Sequence, residues 1–175
     1  MKIYTRKGDK GLTSIKHKRI KKNSQTIQLL SHIDDLQTSI GFLLFNMNND
    51  PEYFVIKNIQ KELFRLSSVI AGYQVMFDTN LYKDLEKRID EIDSELPKLK
   101  NFIIAGLGVN ELELYAHQCR TKTRIVETHI YDSIGEDIRT FFNRLSDYFF
   151  ILVRKYNTNE TAYLIKKNEF KTTKS

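Results

Sequence analysis

The chain has 175 residues, of which 41% are hydrophobic and 29% charged. This is an ordinary globular balance at a length that suits one domain, and it excludes a fibrous or fully disordered chain. A single cysteine excludes an internal disulfide, and seven glycines with two prolines leave little of the punctuation an all-β fold requires. The formal charge of +6 is concentrated at one end. Residues 1–22 carry Lys2, Arg6, Lys7, Lys10, Lys16, Lys18, Arg19, Lys21 and Lys22 against the single acid Asp9. An anionic partner is expected there, with a solvated basic arm as the plainer alternative.

In chain order, residues 1–23 read as an irregular amino-terminal region holding the run Thr5-Arg6-Lys7-Gly8-Asp9-Lys10-Gly11-Leu12-Thr13-Ser14. Ser24 is a candidate cap for a first helix, in which Ile27, Leu30, Ile33, Leu36, Ile40, Leu43 and Leu44 recur every three or four residues up to about Met47. Asn46 to Pro51 is a break. A second helix is predicted from Glu52 to Gly72, with Ile56, Ile59, Leu63, Leu66 and Ile70 inward. A third runs from its cap Asn80 to Leu96, with Leu81, Leu85, Ile89 and Ile92 inward, and Pro97 ends it. An extended link, Phe102 to Ile104, and a glycine-containing turn lead to a fourth helix, Glu111 to Ile130, whose apolar stripe is thin: Leu112, Tyr115, Cys119, Val126 and Ile130. A fifth, Glu136 to Tyr156, packs Ile138, Phe142, Leu145, Phe149 and Leu152. Residues 157–175 read as a tail with a strand-like patch at Ala162 to Ile165. The whole is an all-α, five-helix bundle preceded by a glycine loop: 1–23 loop region, 24–156 bundle and 157–175 tail in one domain. The opening is charged and lacks an apolar signal core, and the apolar runs stop short of a membrane span. A cytoplasmic protein without membrane segments is expected.

Three features could carry chemistry. Gly8 and Gly11 would let the backbone turn tightly around a ligand, with Lys7, Lys10 and the hydroxyls of Thr5 and Thr13 around a polyphosphate. The run is not a Walker A loop, because the Gly-Lys-Ser/Thr ending is absent. On the fourth helix Glu113, His117, Arg120, Arg124 and Glu127 share one face, and on the fifth so do Arg139, Asn143 and Asp147. Such stripes line an anion site or form a solvated face. No cysteine–histidine ligand spacing and no nucleophile motif is present, and Cys119 reads as core.

Taken together, these pieces resemble the PduO-type ATP:cob(I)alamin adenosyltransferases. The matching segments are YTRKGDKGLTS at Tyr4–Ser14, RIKKN at Arg19–Asn23, and Ile33-Asp34-Asp35-Leu36-Gln37-Thr38. IQKELFRLSSVIAG at Ile59–Gly72, LEKRIDEIDSELPKLKNFI at Leu85–Ile103 and Asn143-Arg144-Leu145-Ser146-Asp147 follow in the same order. The resemblance implies a five-helix bundle that assembles as a homotrimer with ATP between subunits. It implies transfer of the 5′-deoxyadenosyl group of ATP to cob(I)alamin with release of tripolyphosphate, with Mg2+ on the triphosphate and a cobalamin-dependent enzyme as a possible recipient of the product. It assigns phosphate contacts to Lys7, Gly8, Asp9, Lys10, Thr13 and Lys22, nucleotide-binding places to Thr5, Gly11, Asp34 and Asn143, and both catalytic and nucleotide-binding roles to Arg120 and Arg124; Lys122, a cation the family pattern lacks at its place, joins the nucleotide-binding set. It places Phe102 where an aromatic ring excludes water beneath cobalt. No resident metal site is implied.

The fourth helix departs from the family pattern Cys-Arg-Arg-Ala-Glu-Arg. It reads Cys119-Arg120-Thr121-Lys122-Thr123-Arg124, and the family arginine one turn earlier, which pairs with the aspartate matching Asp34 across subunits, is Ala116. Two other readings stand beside the enzyme: a non-catalytic relative that binds ATP or cobalamin, and a basic helical module for nucleic acid, which lacks a recognisable motif.

Overall fold

The computed structural model describes residues 3–99, 102–106, 110–130, 134–157 and 162–163. Five helices form the body: α1 (Gln25–Asn46), α2 (Tyr53–Ile70), α3 (Leu81–Glu95), α4 (Glu111–Thr128) and α5 (Glu136–Tyr156). Two short antiparallel pairs accompany them: β1 (Leu12–Ile15) with β2 (Lys18–Lys21), and β3 (Phe102–Ile103) with β4 (Ala162–Tyr163). Packing runs in the order α2, α1, α4, α5, α3.

The core follows the sequence periodicity with local shifts. On α1 it is Leu29, Ile33, Leu36, Ile40 and Leu43 that are buried, at alternating steps of four and three. Ile27, Leu30 and Leu44, expected inward, are only half-buried. On α2, Ile56, Ile59, Leu63 and Leu66 are buried as expected, whereas Ile70 at its end is half-buried. On α3, Leu81, Leu85 and Ile92 are buried and Ile89 is half-buried. Helix α5 is the central element, with Ile138, Phe141, Phe142, Leu145, Tyr148, Phe149, Ile151, Leu152, Val153 and Tyr156 buried around most of its circumference. Each such apolar side chain contributes about 1.5–3 kcal/mol on burial.

Helix α4 differs from expectation. Its buried residues are Glu113, Ala116, Cys119, Thr123 and Val126, while Leu112 and Tyr115 are half-buried. Small side chains on this stripe let α4 lie close to both α1 and α5. The start of α4 is capped by Asn110, whose Oδ1 accepts from the Leu112 amide at 2.9 Å while its Nδ2 donates to the Tyr156 carbonyl at 3.1 Å. Ser24 and Asn80 stand at the cap positions of α1 and α3, but neither makes a side-chain cap bond.

The amino-terminal region is not irregular throughout. Residues 12–21 form a hairpin that pairs Thr13 with Ile20 and Ile15 with Lys18. Cross-strand partners share a face, so Thr13, Ile15, Lys18 and Ile20 lie on one side. Ile15, Lys18 and Ile20 line a cavity of about 490 Å³ against Thr26 and the end of α2. The tail contributes β4; residues 158–161 and 164–175 lie outside the described residues.

Candidate nucleotide site

The glycine loop is folded by its own backbone and by the hairpin. The Gly11 amide donates to the Gly8 carbonyl at 3.2 Å, and the Lys22 amide donates to the Gly11 carbonyl at 2.9 Å. Gly11 has φ +74°, a conformation that side chains other than hydrogen adopt at a cost. At Gly8 an added Cβ would stand 3.2 Å from the Lys22 Nζ, so the lysine amine lies directly over the turn. Arg19 reaches back from β2 and donates to the Lys7 carbonyl at 2.6 Å. One loop therefore gathers Lys7, Gly8, Asp9, Lys10, Gly11, Thr13 and Lys22, with Thr5 just ahead of it. Arg19, outside the set the family resemblance implies, braces it.

The hairpin is tied to the bundle at its turn. Lys16 sits at φ +51°, and its Nζ donates to the Gly72 carbonyl at 2.7 Å and lies 5.8 Å from the Tyr73 ring centre. The acceptor stands just past the last turn of α2, where a cation also meets the negative end of the helix dipole.

A second set of polar residues lies along α4 and α5. Arg120 stacks its guanidinium over the Phe150 ring at 5.3 Å. Arg124 pairs with Glu127 at 3.1 Å, and Glu127 accepts from Asn143 Nδ2, also at 3.1 Å. Arg144 donates to Asn143 Oδ1 at 2.7 Å and to Glu86 of α3 at 2.6 Å. Glu127, Gly135, Glu136, Arg139, Thr140, Asn143 and Arg144 line an open cavity of about 500 Å³. Of the predicted α4 stripe, Glu113 instead turns inward and is fully buried, 3.7 Å from His117 Nε2. Burial, and then the nearby Arg120, hold the His117 imidazole below its ordinary range.

Three assigned residues fall elsewhere. Lys122 stands roughly 200° around the helix from Arg120 and forms an ion pair with Asp35 of α1. Asp34 is exposed on α1. Phe102 lies in β3, its backbone paired with Tyr163, and its side chain lies outside the described residues. Among the described residues, no group of three or more His, Cys, Asp or Glu side chains is placed to hold a metal ion. No described helix is long and apolar enough to cross a membrane.

A glycine turn roofed by lysine, together with an arginine–asparagine array on two adjacent helices, defines a helical-bundle protein that presents cations to a polyanion. The chain belongs to the cobalamin adenosyltransferase family, whose sequence model matches residues 3–156. It is similar to the corrinoid adenosyltransferase of Bacillus subtilis (strain 168), with 34% identity over 170 residues, spanning 90% of this chain and 87% of the relative. It is also similar to the human corrinoid adenosyltransferase MMAB, with 31% identity over 185 residues, spanning 93% and 73%. Among solved structures it resembles a variant PduO-type ATP:corrinoid adenosyltransferase from Lactobacillus reuteri complexed with cobalamin and ATP. There the TM-score is 0.80 at 30% identity, covering 89% of this chain and 93% of that one.

Proposed function

We propose that this protein transfers the 5′-deoxyadenosyl group of ATP to cob(I)alamin and releases tripolyphosphate. The observation that carries the reading is the glycine loop closed under Lys22, in a chain of the cobalamin adenosyltransferase family. In the reaction the electron pair of Co(I) attacks the 5′ carbon. A Co–C bond forms, the C–O bond to the triphosphate breaks, and its electrons leave with tripolyphosphate. No protein nucleophile takes part, so the protein supplies position and charge compensation.

The residues divide that work. Gly8 and Gly11 admit the triphosphate to the backbone. Lys7, Lys10 and Lys22, with the hydroxyls of Thr5 and Thr13, meet the charge that builds on the leaving group. Magnesium arrives on the triphosphate as part of the substrate; Asp9 is the loop's one carboxylate and the group that would face the ion or its waters. Arg120, Arg124 and Asn143 hold the nucleotide from α4 and α5, and Phe102 is assigned to the face below cobalt, where it excludes water. The loop is tied to the end of α2, whereas the arginine array spans α4 and α5. That separation supports a homotrimer in which the loop of one protomer meets the array of its neighbour, with a cobalamin-dependent enzyme as recipient of the product.

The test is anaerobic incubation with reduced cobalamin, ATP and magnesium, following the absorbance of adenosylcobalamin. Arg120→Ala is expected to lower kcat/KM by roughly 10- to 100-fold, the loss of one or more charge-assisted hydrogen bonds. Absence of turnover from folded protein that binds ATP would sink the transferase reading. It would favour a nucleotide-binding relative without chemistry, the reading to which the neutral residues Ala116, Thr121 and Thr123 point.

A further inference from the structure

Arg124 and Asn143 are held by side chains from three helices. Glu127 sits three residues beyond Arg124 on α4. Its Oε2 lies 3.1 Å from Arg124 Nη1, and its Oε1 accepts from Asn143 Nδ2 at 3.1 Å. On the other side of the amide, Arg144 donates to Asn143 Oδ1 at 2.7 Å and is itself anchored by Glu86 at 2.6 Å. A guanidinium on the oxygen and a carboxylate on the nitrogen fix the amide against rotation by 180°. Asn143 keeps one hydrogen on Nδ2 and one lone pair on Oδ1 for a ligand. Glu127 is the more sheltered partner of its ion pair, with its side chain 19% exposed against 54% for Arg124. It is therefore the fixed end, and the arginine is the end that faces outward.

A carboxylate beside an incoming triphosphate is repulsive unless its charge is already engaged. We infer, resting on the adenosyltransferase reading, that Glu127 is a positioning residue for the nucleotide. It holds the Asn143 amide ready in the cavity wall and orients the neighbouring Arg124 guanidinium, and does not touch phosphate itself. Pre-ordering a long, exposed arginine lowers the entropy lost when ATP binds. The opposite role is a competitor that neutralises Arg124 and must be displaced.

The two roles predict opposite signs. Steady-state KM values for ATP and cob(I)alamin, with calorimetric Kd values for MgATP, would be measured on the wild-type protein and on Glu127→Gln, Glu127→Ala, Asn143→Ala, Arg124→Ala and Glu127→Ala combined with each of the last two. Thermal melts establish that each variant is folded. Positioning predicts that Glu127→Ala raises Kd and KM for ATP by roughly tenfold, with KM for cob(I)alamin within about twofold. Glu127→Gln, which keeps an acceptor for Asn143, should lie between. The effect of Glu127→Ala should shrink in the Asn143→Ala and Arg124→Ala backgrounds, because it acts through those residues. An unchanged or tighter Kd in Glu127→Ala, or a full effect persisting in both backgrounds, overturns the positioning role and leaves the transferase reading intact. Wild-type protein that binds ATP without turnover overturns the transferase reading, and the Kd series still decides the role of Glu127. Wild-type protein that does not bind ATP overturns both.

Discussion

Glu52 is the most consequential single charge in the interior. It precedes α2 and has no exposed surface. Its carboxylate accepts from the Tyr148 hydroxyl at 2.8 Å, from Arg88 Nε at 3.1 Å and from Lys155 Nζ at 3.1 Å, with a second contact from Arg88 Nη2. One side chain thereby joins α2, α3 and α5. Glu52→Ala strands the buried Tyr148 hydroxyl, at about 1–3 kcal/mol. Arg88 and Lys155 are 31% and 26% exposed, and Arg88 keeps Glu91 at 2.7 Å, so both recover part of their loss from water and neighbours. The total is about 3 kcal/mol, at the lower edge of what breaking a buried ion pair costs. In a domain of this size that corresponds to a drop in Tm of roughly 6–12 °C, read by calorimetry or circular dichroism at pH 7. The pH dependence has a definite sign. Burial pushes the Glu52 carboxyl up, but hydrogen bonds from Arg88, Tyr148 and Lys155 pull it down and prevail, leaving it below its ordinary 4.5. A carboxyl depressed on folding stabilises fully above its unfolded pKa, and that stabilisation fades as pH falls through the folded value. The difference in Tm between wild type and Glu52→Ala should therefore narrow below about pH 4.5. A difference under about 2 °C at pH 7, or one that widens on acidification, would refute the account.

Lys16→Ala removes the amine that ties the hairpin to the Gly72 carbonyl. It should weaken ATP binding by about fivefold while lowering Tm by less than about 3 °C, because the contact is solvent-exposed; calorimetry with melts checks both. Cys119 is fully buried, and burial pushes its thiol far above the ordinary range. A colorimetric disulfide reagent at pH 8 should leave the native protein unlabelled and react with one thiol per chain after denaturation.

The helices were legible because long segments repeat their apolar residues at the helical period. The hairpin was not. Its strands have four residues each, and its turn, Lys16-His17, lacks the glycine or asparagine that announces a two-residue loop; Lys16 takes up φ +51° all the same. On α1 the apolar residues are dense enough to allow two registers, and packing chose Leu29 over Ile27 and Leu30. On α4 hydrophobicity is only a partial guide, because the buried stripe keeps the expected Cys119 and Val126 but adds the polar Glu113 and Thr123 and the small Ala116 in place of Leu112 and Tyr115. The glycine loop was readable from its motif. Its braces Lys16 and Arg19 were not, since a hydrogen bond to a backbone carbonyl leaves no spacing rule. Glu127 was readable as part of a polar stripe, but not as the partner of both Arg124 and Asn143.

The departures on α4 become coherent once placed. Ala116 is fully buried within the protomer, and Asp34 is exposed on α1. A guanidinium at position 116 of this packing would enter the interior, where an unpaired charge costs several kcal/mol. Alanine avoids that cost, and Asp34 stays hydrated. The link between α1 and α4 is made instead by Lys122 and Asp35, within one chain. Thr123 is buried but donates to the Cys119 carbonyl at 2.8 Å, and exposed Thr121 donates to the His117 carbonyl at 3.0 Å, so neither hydroxyl is left unsatisfied. The fold thus absorbs all three changes locally. It does not return the lost charge to the face of Arg120 and Arg124, because Lys122 points to α1 while those two arginines, four residues apart, share the face toward α5. Along that seam lie Arg120 on Phe150, Arg124 on Glu127 and Arg144 on Asn143, with Arg139 in the same cavity wall. Arg144 is anchored by Glu86, and Arg124 is oriented by Glu127. Arg120 rests on the Phe150 ring and has no ion pair among the described residues, so its guanidinium is the least committed of the three.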